Sequence, residues 1–309
     1  MYAYLSRRIA ATIPVLLGVS LLVFAMLHLV PGDPVKMMLS EFGTNPEQIA
    51  LLRAQLHLDE PLPKQFLRFV VNAVQGDLGI SIRSKRPVIQ EIGDNYLSTL
   101  QLAFAGLFIA GFLGTTLGII AAVRQNSFID AGSMVFALVG VSMPSFWLGL
   151  LLIFTFSLRF RLFPATGGGD LKHLVLPAIT LGLGAAAIIA RLVRSSMLEV
   201  LRQEYVTTAR AKGLMEFWVI VRHALRNALI PVVTVFGLQF GSLLAGAVII
   251  ETVFGRPGIG RLLVDGILNK DFPVVQGVVL VVAISYVAVN LLVDLVYVVL
   301  DPRIRYVRG

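Results

Sequence analysis

The stretch STLQLAFAGLFIAGFLGTTLGIIAAV, residues 98–123, contains no charged side chain and decides the fold class. As a helix it would be about 39 Å long at 1.5 Å per residue. That exceeds the roughly 30 Å of hydrocarbon in a bilayer. Gly106, Gly111, Gly114 and Gly118 recur along it, small enough to let a second helix approach closely. Counting the whole run from 95 to 123, the chain has six uncharged stretches: 9–32, 95–123, 131–158, 174–190, 227–250 and 272–293. Five are long enough to span. The fourth gains a further turn from residues after Arg191. A soluble protein with buried helices would not need six such runs. The 309 residues are 57% hydrophobic and only 14% charged, against about 25% charged in soluble domains. The expected fold is an all-α integral membrane protein with six transmembrane helices.

Charge sets the orientation. With both termini in the cytoplasm, thirteen Lys and Arg lie inside: Arg7, Arg8, Arg124, seven between 191 and 226, and Arg303, Arg305 and Arg308. The two short outside loops hold six. The long outside loop holds seven more, but long loops count little. The net charge of +8 is therefore read as membrane topology, not nucleic-acid binding. The first run is too long for a signal-peptide core and reads as a retained helix. The division is 1–97, the first span plus an external helical segment; 98–300, the transmembrane core; and 301–309, a cytoplasmic tail.

The segments between spans are structured. Asn45, Pro46 and Gln48 form a helix-start pattern. Next, PKQFLRFVVNAVQG places Phe66, Phe69, Val70, Ala73 and Val74 at helical spacing, with Gly76 as terminator. This helix is too short to span. It lies on the membrane surface or against the other helices, or else packs inside a small external subdomain. Pro144 in the third span removes a backbone donor, and Ser142 and Ser145 could bond to the freed groups. That kink is either structural or lines a passage. The loop GGGD at 167–170 shows no helix start after it. After the fourth span, Ser196 and Glu199 form a capping-box pattern opening a helix over about 197–213, with Gly213 in the left-handed terminal position. A second short helix, MEFWVIVRHALRNA, leads into the fifth span. That span holds Gln239 and Ser242. Between the last two spans, IGRLLVDGIL is helix-like. The sixth span carries Tyr286, Asn290, Asp294 and Tyr297 on one face. A carboxylate among apolar residues marks a functional site by default. Here Asp294 lies near the cytoplasmic end, where pairing with Arg191 or Arg194 is the simpler account.

Most reaction chemistries have no residues to carry them. Without cysteine there is no disulfide, thiolate metal site or thiol nucleophile. None of the six lysines follows a glycine, so no P-loop exists for ATP. The four histidines are scattered, and no Gly-x-Ser-x-Gly elbow occurs. No catalytic residue, metal site or cofactor is assigned to this chain. An ion-coupled transporter or channel would show intramembrane charges or an inverted repeat. A membrane enzyme would show a reactive constellation.

Residues 204–213, EYVTTARAKG, followed by HALRNALIPVVT, resemble the cytoplasmic loop of type I ABC importer permeases of the dipeptide, oligopeptide, nickel and glutathione branch. The likeness continues through LVPGDP at 29–34, GDLGIS at 76–81, ARLVRSSMLEVL at 190–201, GLQFGSLLAGAVIIETVFGRPGIGRLLVDGI at 237–267 and NLLVDLVYVVLDPRIR at 290–305. It covers nearly the whole chain. The broad importer motif, Glu-Ala-Ala, three residues, Gly, falls on Thr207, Thr208, Ala209 and Gly213. Only the alanine and the glycine match, so Glu204 is not the glutamate of that motif. The resemblance implies a type I ABC importer permease fold in a bacterial or archaeal inner membrane. It implies a permease for small peptides, or by the same architecture glutathione or nickel chelates. It implies a second homologous permease, two ATPase subunits that hold ATP and Mg, and an external solute-binding protein. It implies that Glu204, Thr207, Thr208, Ala209, Arg210, Ala211, Lys212 and Gly213 couple to the ATPase. Ser142, Ser145, Gln239, Ser242 and Asn290 are the candidate pore residues, and Asp294 the intramembrane charge.

Overall fold

A computed structural model describes residues 2–29 and 59–300, with residues 35, 47, 50, 51 and 53 between them; the side chains of 2–7, 9, 294 and 296–300 are outside that description. The expected helix start at Asn45, Pro46 and Gln48, the tail 301–309 and the side chains of Asp294 and Tyr297 therefore lie outside the described residues.

The helices are α1 (Tyr2–Leu29), α2 (Leu62–Val74), α3 (Val88–Val123), α4 (Phe128–Ser142) and α5 (Ser145–Leu152), which continues as a π-helical turn, Ile153–Arg159. Then come α6 (Lys172–Leu201), α7 (Glu204–Ala211) and a helical run α8 over residues 216–228 with a π-helical centre, Val219–Leu225. Last are α9 (Ile230–Val253), α10 (Ile259–Leu268) and α11 (Phe272–Leu300). Among the described residues there is no strand, only one isolated bridge between Ile80 and Pro87. Among the described residues five helices are long and apolar enough to cross a membrane, and there are six if the α4–α5 pair, bent by 105°, counts as one span. The sequence placed a kink at Pro144. The break is far sharper, because Met143 adopts extended geometry between the two helices and Pro144 starts the second.

One compact unit contains, among the described residues, 100–256 and 289–300. Its centre is α6, which buries Leu176, Ala178, Leu181, Ala185, Ala186, Ile189, Val193 and Met197 against α3, α4, α5 and α9. Glycine permits the tightest approach. A Cβ at Gly114 would stand 2.6 Å from Ala186 O, and one at Gly118 would stand 2.6 Å from Val193 Cβ. The fourth span does gain length beyond Arg191, as its sequence required. The gain overrides one local signal, and the start of α6 corrects another reading. Ser196 and Glu199 do not open a new helix, because α6 runs on to Leu201 with Met197 fully buried. The GGGD loop is followed almost at once by the start of α6 at Lys172.

The other unit contains, among the described residues, 2–29, 59–99 and 257–288. Val88, Ile92, Ile259, Val274 and Val278 form its core. Polar contacts join distant segments: Ser81 Oγ donates to Asp271 Oδ2 at 2.6 Å, and Ile259 N donates to Thr99 Oγ1 at 2.9 Å. Tyr96 OH and Ser285 Oγ are 2.8 Å apart. Helix α2 ends where the sequence placed its terminator, with Gly76 at φ +83°.

Candidate functional site

The loop between α6 and α9 is built as a small folded body. Arg202 and Gln203 interrupt the helix, Gln203 being extended, and α7 begins at Glu204. An isolated eight-residue helix is marginal in water, so tertiary ties must hold it. Val206 and Ala209 turn inward and pack on Val219, with Val200 and Leu201 alongside. Tyr205 OH accepts from Asn227 Nδ2 at 2.7 Å, which ties α7 to the end of α8. Gly213 at φ +76° reverses the chain, its N–H donating to Arg210 O at 2.9 Å. Across that turn Arg210 grips Glu216 with two bonds, Nη2 to Oε1 at 2.7 Å and Nε to Oε2 at 3.1 Å. These bonds from Arg210 hold the Glu216 carboxyl below the usual carboxylate range, and Glu216 in turn raises the Arg210 guanidinium.

This geometry sorts the residues singled out from the sequence. Glu204, Thr207, Thr208, Arg210, Ala211, Lys212 and Gly213 form the exposed surface. Ala209 does not: it is 5% exposed and belongs to the loop's own core. Arg210 is already paired within the loop. The sequence reading missed the bare apolar surface that follows, Leu214, Met215, Phe217 and Trp218, the last two in edge-to-face contact at 5.5 Å. Its signal was present as LMEFW directly after the turn glycine.

A second feature anchors this end of α6. Arg194 donates Nε to Asp130 Oδ1 at 2.6 Å and Nη2 to Asp130 Oδ2 at 2.7 Å. Asp130 is fixed in turn by Asn126 N, and Ser127 caps α4 onto Asp130 N. Arg191 or Arg194 was the expected partner of Asp294, whose side chain lies outside the described residues. The described partner of Arg194 is Asp130.

The candidate pore residues are dispersed. Ser142 opens onto a cleft of about 560 Å³ in the α4–α5 bend, walled by Leu138, Val139, Met143, Pro144, Phe146 and Trp147. Ser145 starts α5 half-buried outside that wall. Ser242 is exposed on α9, Gln239 is half-buried there, and Asn290 is half-buried on α11. Among the described residues no hydrogen bond joins these five side chains to one another. At the far end of α9, Glu251 is fully buried and Arg256 is 4% exposed. Burial lowers the Arg256 guanidinium, opposed by the charge of Glu251. Its Nη2 reaches Gln101 Oε1 at 3.4 Å.

Residues 114–306 match the family described as the binding-protein-dependent transport system inner membrane component. Residues 1–103 match the N-terminal region of the same components. The chain belongs to this family. As an inner membrane component it is 45% identical over 306 residues to the glutathione transport system permease protein GsiC of Escherichia coli K12, covering 99% of this chain and 100% of that one. It is 44% identical to the dipeptide transport system permease protein DppB of Escherichia coli K12, covering 99% of each. The methionine ABC transporter MetNI in an inward facing conformation shares the fold, with a TM-score of 0.60 at 18% identity over 69% of this chain and 97% of that one. The multi-pass, nearly all-helical architecture and the resemblance to ABC importer permeases thus agree.

Proposed function

We propose that this permease is half of the membrane pathway of an ATP-driven importer for small peptides. The observation that carries the reading is end-to-end identity of 44–45% with permeases named for a dipeptide and for glutathione, itself a tripeptide. The partners in this reading are a second, homologous permease, two ATPase subunits that bind ATP and Mg, and an external solute-binding protein. The exposed surface of residues 204–213 receives the ATPase stroke. The folded loop supports that role, because its internal bonds leave it stiff enough to transmit force. Ser142, Ser242 and Asn290 are the first pathway residues to test.

Reconstitution tests the proposal. The complete complex in vesicles, given its binding protein and ATP, takes up radiolabelled dipeptide or glutathione, and omission of the ATPases abolishes uptake. Uptake by the permeases alone would refute the reading. Titration of the binding protein with both peptides by calorimetry decides between them. Gly213→Asp adds a charge on the proposed docking surface, where a Cβ meets no atom within 4 Å. The variant inserts normally but loses ATP-dependent uptake.

A further inference from the structure

Helix α2 has more apolar surface than its neighbours cover. At 100° per residue, Phe69, Ala73, Phe66 and Val70 form one arc, Val74, Leu67 and Val71 the next, and Lys64, Arg68 and Asn72 the third. The first arc is packed. The Phe66 and Phe69 rings stand 5.5 and 6.2 Å from Phe24 of α1. Gln65 is buried beside them, its Oε1 accepting from His28 Nε2 at 3.1 Å and its Nε2 donating to Glu60 O at 2.6 Å. The second arc is bare: Leu67 is 63%, Val71 44% and Val74 84% exposed. The third carries Lys64 and Arg68, both on Glu60 Oε1 at the polar edge.

Depth decides what covers the bare arc. The apolar stretch of α1 runs Ala10–Leu29, 20 residues, or about 30 Å, the thickness of the hydrocarbon layer. Phe24 and His28 therefore lie within about 8 Å of its outer boundary at 1.5 Å per residue. Helix α2 is clamped to those two residues and so sits at that boundary. At the same level α1 itself presents Leu22, Met26 and Leu29 bare, at 68, 43 and 78% exposure. With the N-terminus inside, as the charge balance requires, this is the outer leaflet.

We propose that α2 is an interfacial helix, its Leu67–Val71–Val74 edge sunk among outer-leaflet acyl chains and its Lys64–Arg68 edge at the phosphates. An apolar edge beside a cationic one is what such a helix needs. It would clasp the first span to the membrane surface and fix that span's height and tilt.

The protein contains no cysteine, so single cysteines can carry nitroxide labels on the native background. Leu67→Cys, Val71→Cys, Val74→Cys and, as polar control, Gln75→Cys are made in the full permease. Each is assembled with its partner subunits in phosphatidylcholine–phosphatidylglycerol vesicles. Collision rates with oxygen, which dissolves in lipid, and with a nickel chelate, which stays in water, are then compared. The expected result is several-fold preference for oxygen at 67, 71 and 74 and for nickel at 75. Nickel access at 71 and 74 would place the edge in water and overturn the proposal. Poor access to both reagents would mean a protein cover, from another subunit or this chain, and would overturn it equally. Val74, the most exposed of the three, tolerates the label even where Leu67→Cys disturbs folding.

Discussion

Replacing Asp130 by Asn should loosen the unit built around α6. The side chain of Asp130 is 7% exposed and that of Arg194 26%, and two short bonds join them. Removing one partner of a buried ion pair costs about 3–5 kcal/mol, because a charge is left without compensation. A quarter of Arg194 reaches solvent and can rehydrate, which brings the cost to about 2–3 kcal/mol. Asparagine keeps one acceptor for Asn126 N but turns an amide N–H₂ toward a guanidinium. For chains somewhat smaller than this one, each kcal/mol moves the midpoint about 2–4 °C, so Asp130→Asn should lower it by about 4–12 °C. The assay is a thermal scan of the solubilised permease at one fixed rate, since such unfolding is commonly irreversible. Arg194→Gln should cost a similar amount. The double variant should lose at least about 1 kcal/mol less than the sum, as contacting residues do. A shift under 1 °C for Asp130→Asn, or an additive double variant, would refute the reasoning.

Three further outcomes follow from the same structure. At Gly213, with φ +76° and open space around a Cβ, the cost of substitution is backbone strain of about 1–2 kcal/mol for alanine, less for asparagine and more for valine. ATP-dependent uptake at equal expression should therefore fall in the order Asn, Ala, Val; full activity in Gly213→Val would show that the turn is dispensable. The folded value of Glu216 is depressed, so its pairing with Arg210 is intact above the unfolded carboxylate value of about 4.3 and is lost as pH falls through the folded value. Protease protection of the loop should be flat from pH 8 to 6 and weaken only below about 4.3, and Glu216→Gln should remove that step; because both side chains are about half exposed, the pair contributes under about 1 kcal/mol. Glu251→Gln removes the charge that offsets burial of Arg256 and should cost about 3 kcal/mol, visible as a thermal shift of several degrees; an unchanged midpoint would exclude electrostatic support at that site.

The spans are legible in the sequence because hydrocarbon excludes charge and leaves long uncharged runs. What fails to be legible is set by packing. Ser196-x-x-Glu199 has the composition of a helix start, yet Met197 and Val193 are fully buried, and that burial carries α6 straight through it. Proline predicts a missing donor at 144 but not a 105° turn, which depends on where each half-helix packs. Ala209 could serve docking or an internal core, and only the position of Val219, ten residues on, decides for the core. Asp130 and Arg194 are 64 residues apart, and no local pattern links them.

The loop's ties restrict where a displacement of α7 can go. Its inner face is fixed to Val219, its start to Asn227 through Tyr205, and its end to Glu216 across the Gly213 turn. All three ties lead into α8, whose last turn continues directly into α9. Toward α6 the only breaks are Arg202 and Gln203, and Gln203 makes no side-chain cap to stiffen the start of α7. Toward α8 the link is packing plus the bonds of Tyr205 and Arg210, while toward α6 it is packing alone, from Val200 and Leu201 onto Val206, Ala209 and Val219. In the proposed coupling role, a push on the exposed face of α7 passes to α9 through α8 and to α6 through that packing, and on to α4 through the Asp130–Arg194 bonds. On this reading, stiffening residues 202–203 should alter how α6 and α9 move relative to each other, while leaving the docking surface intact.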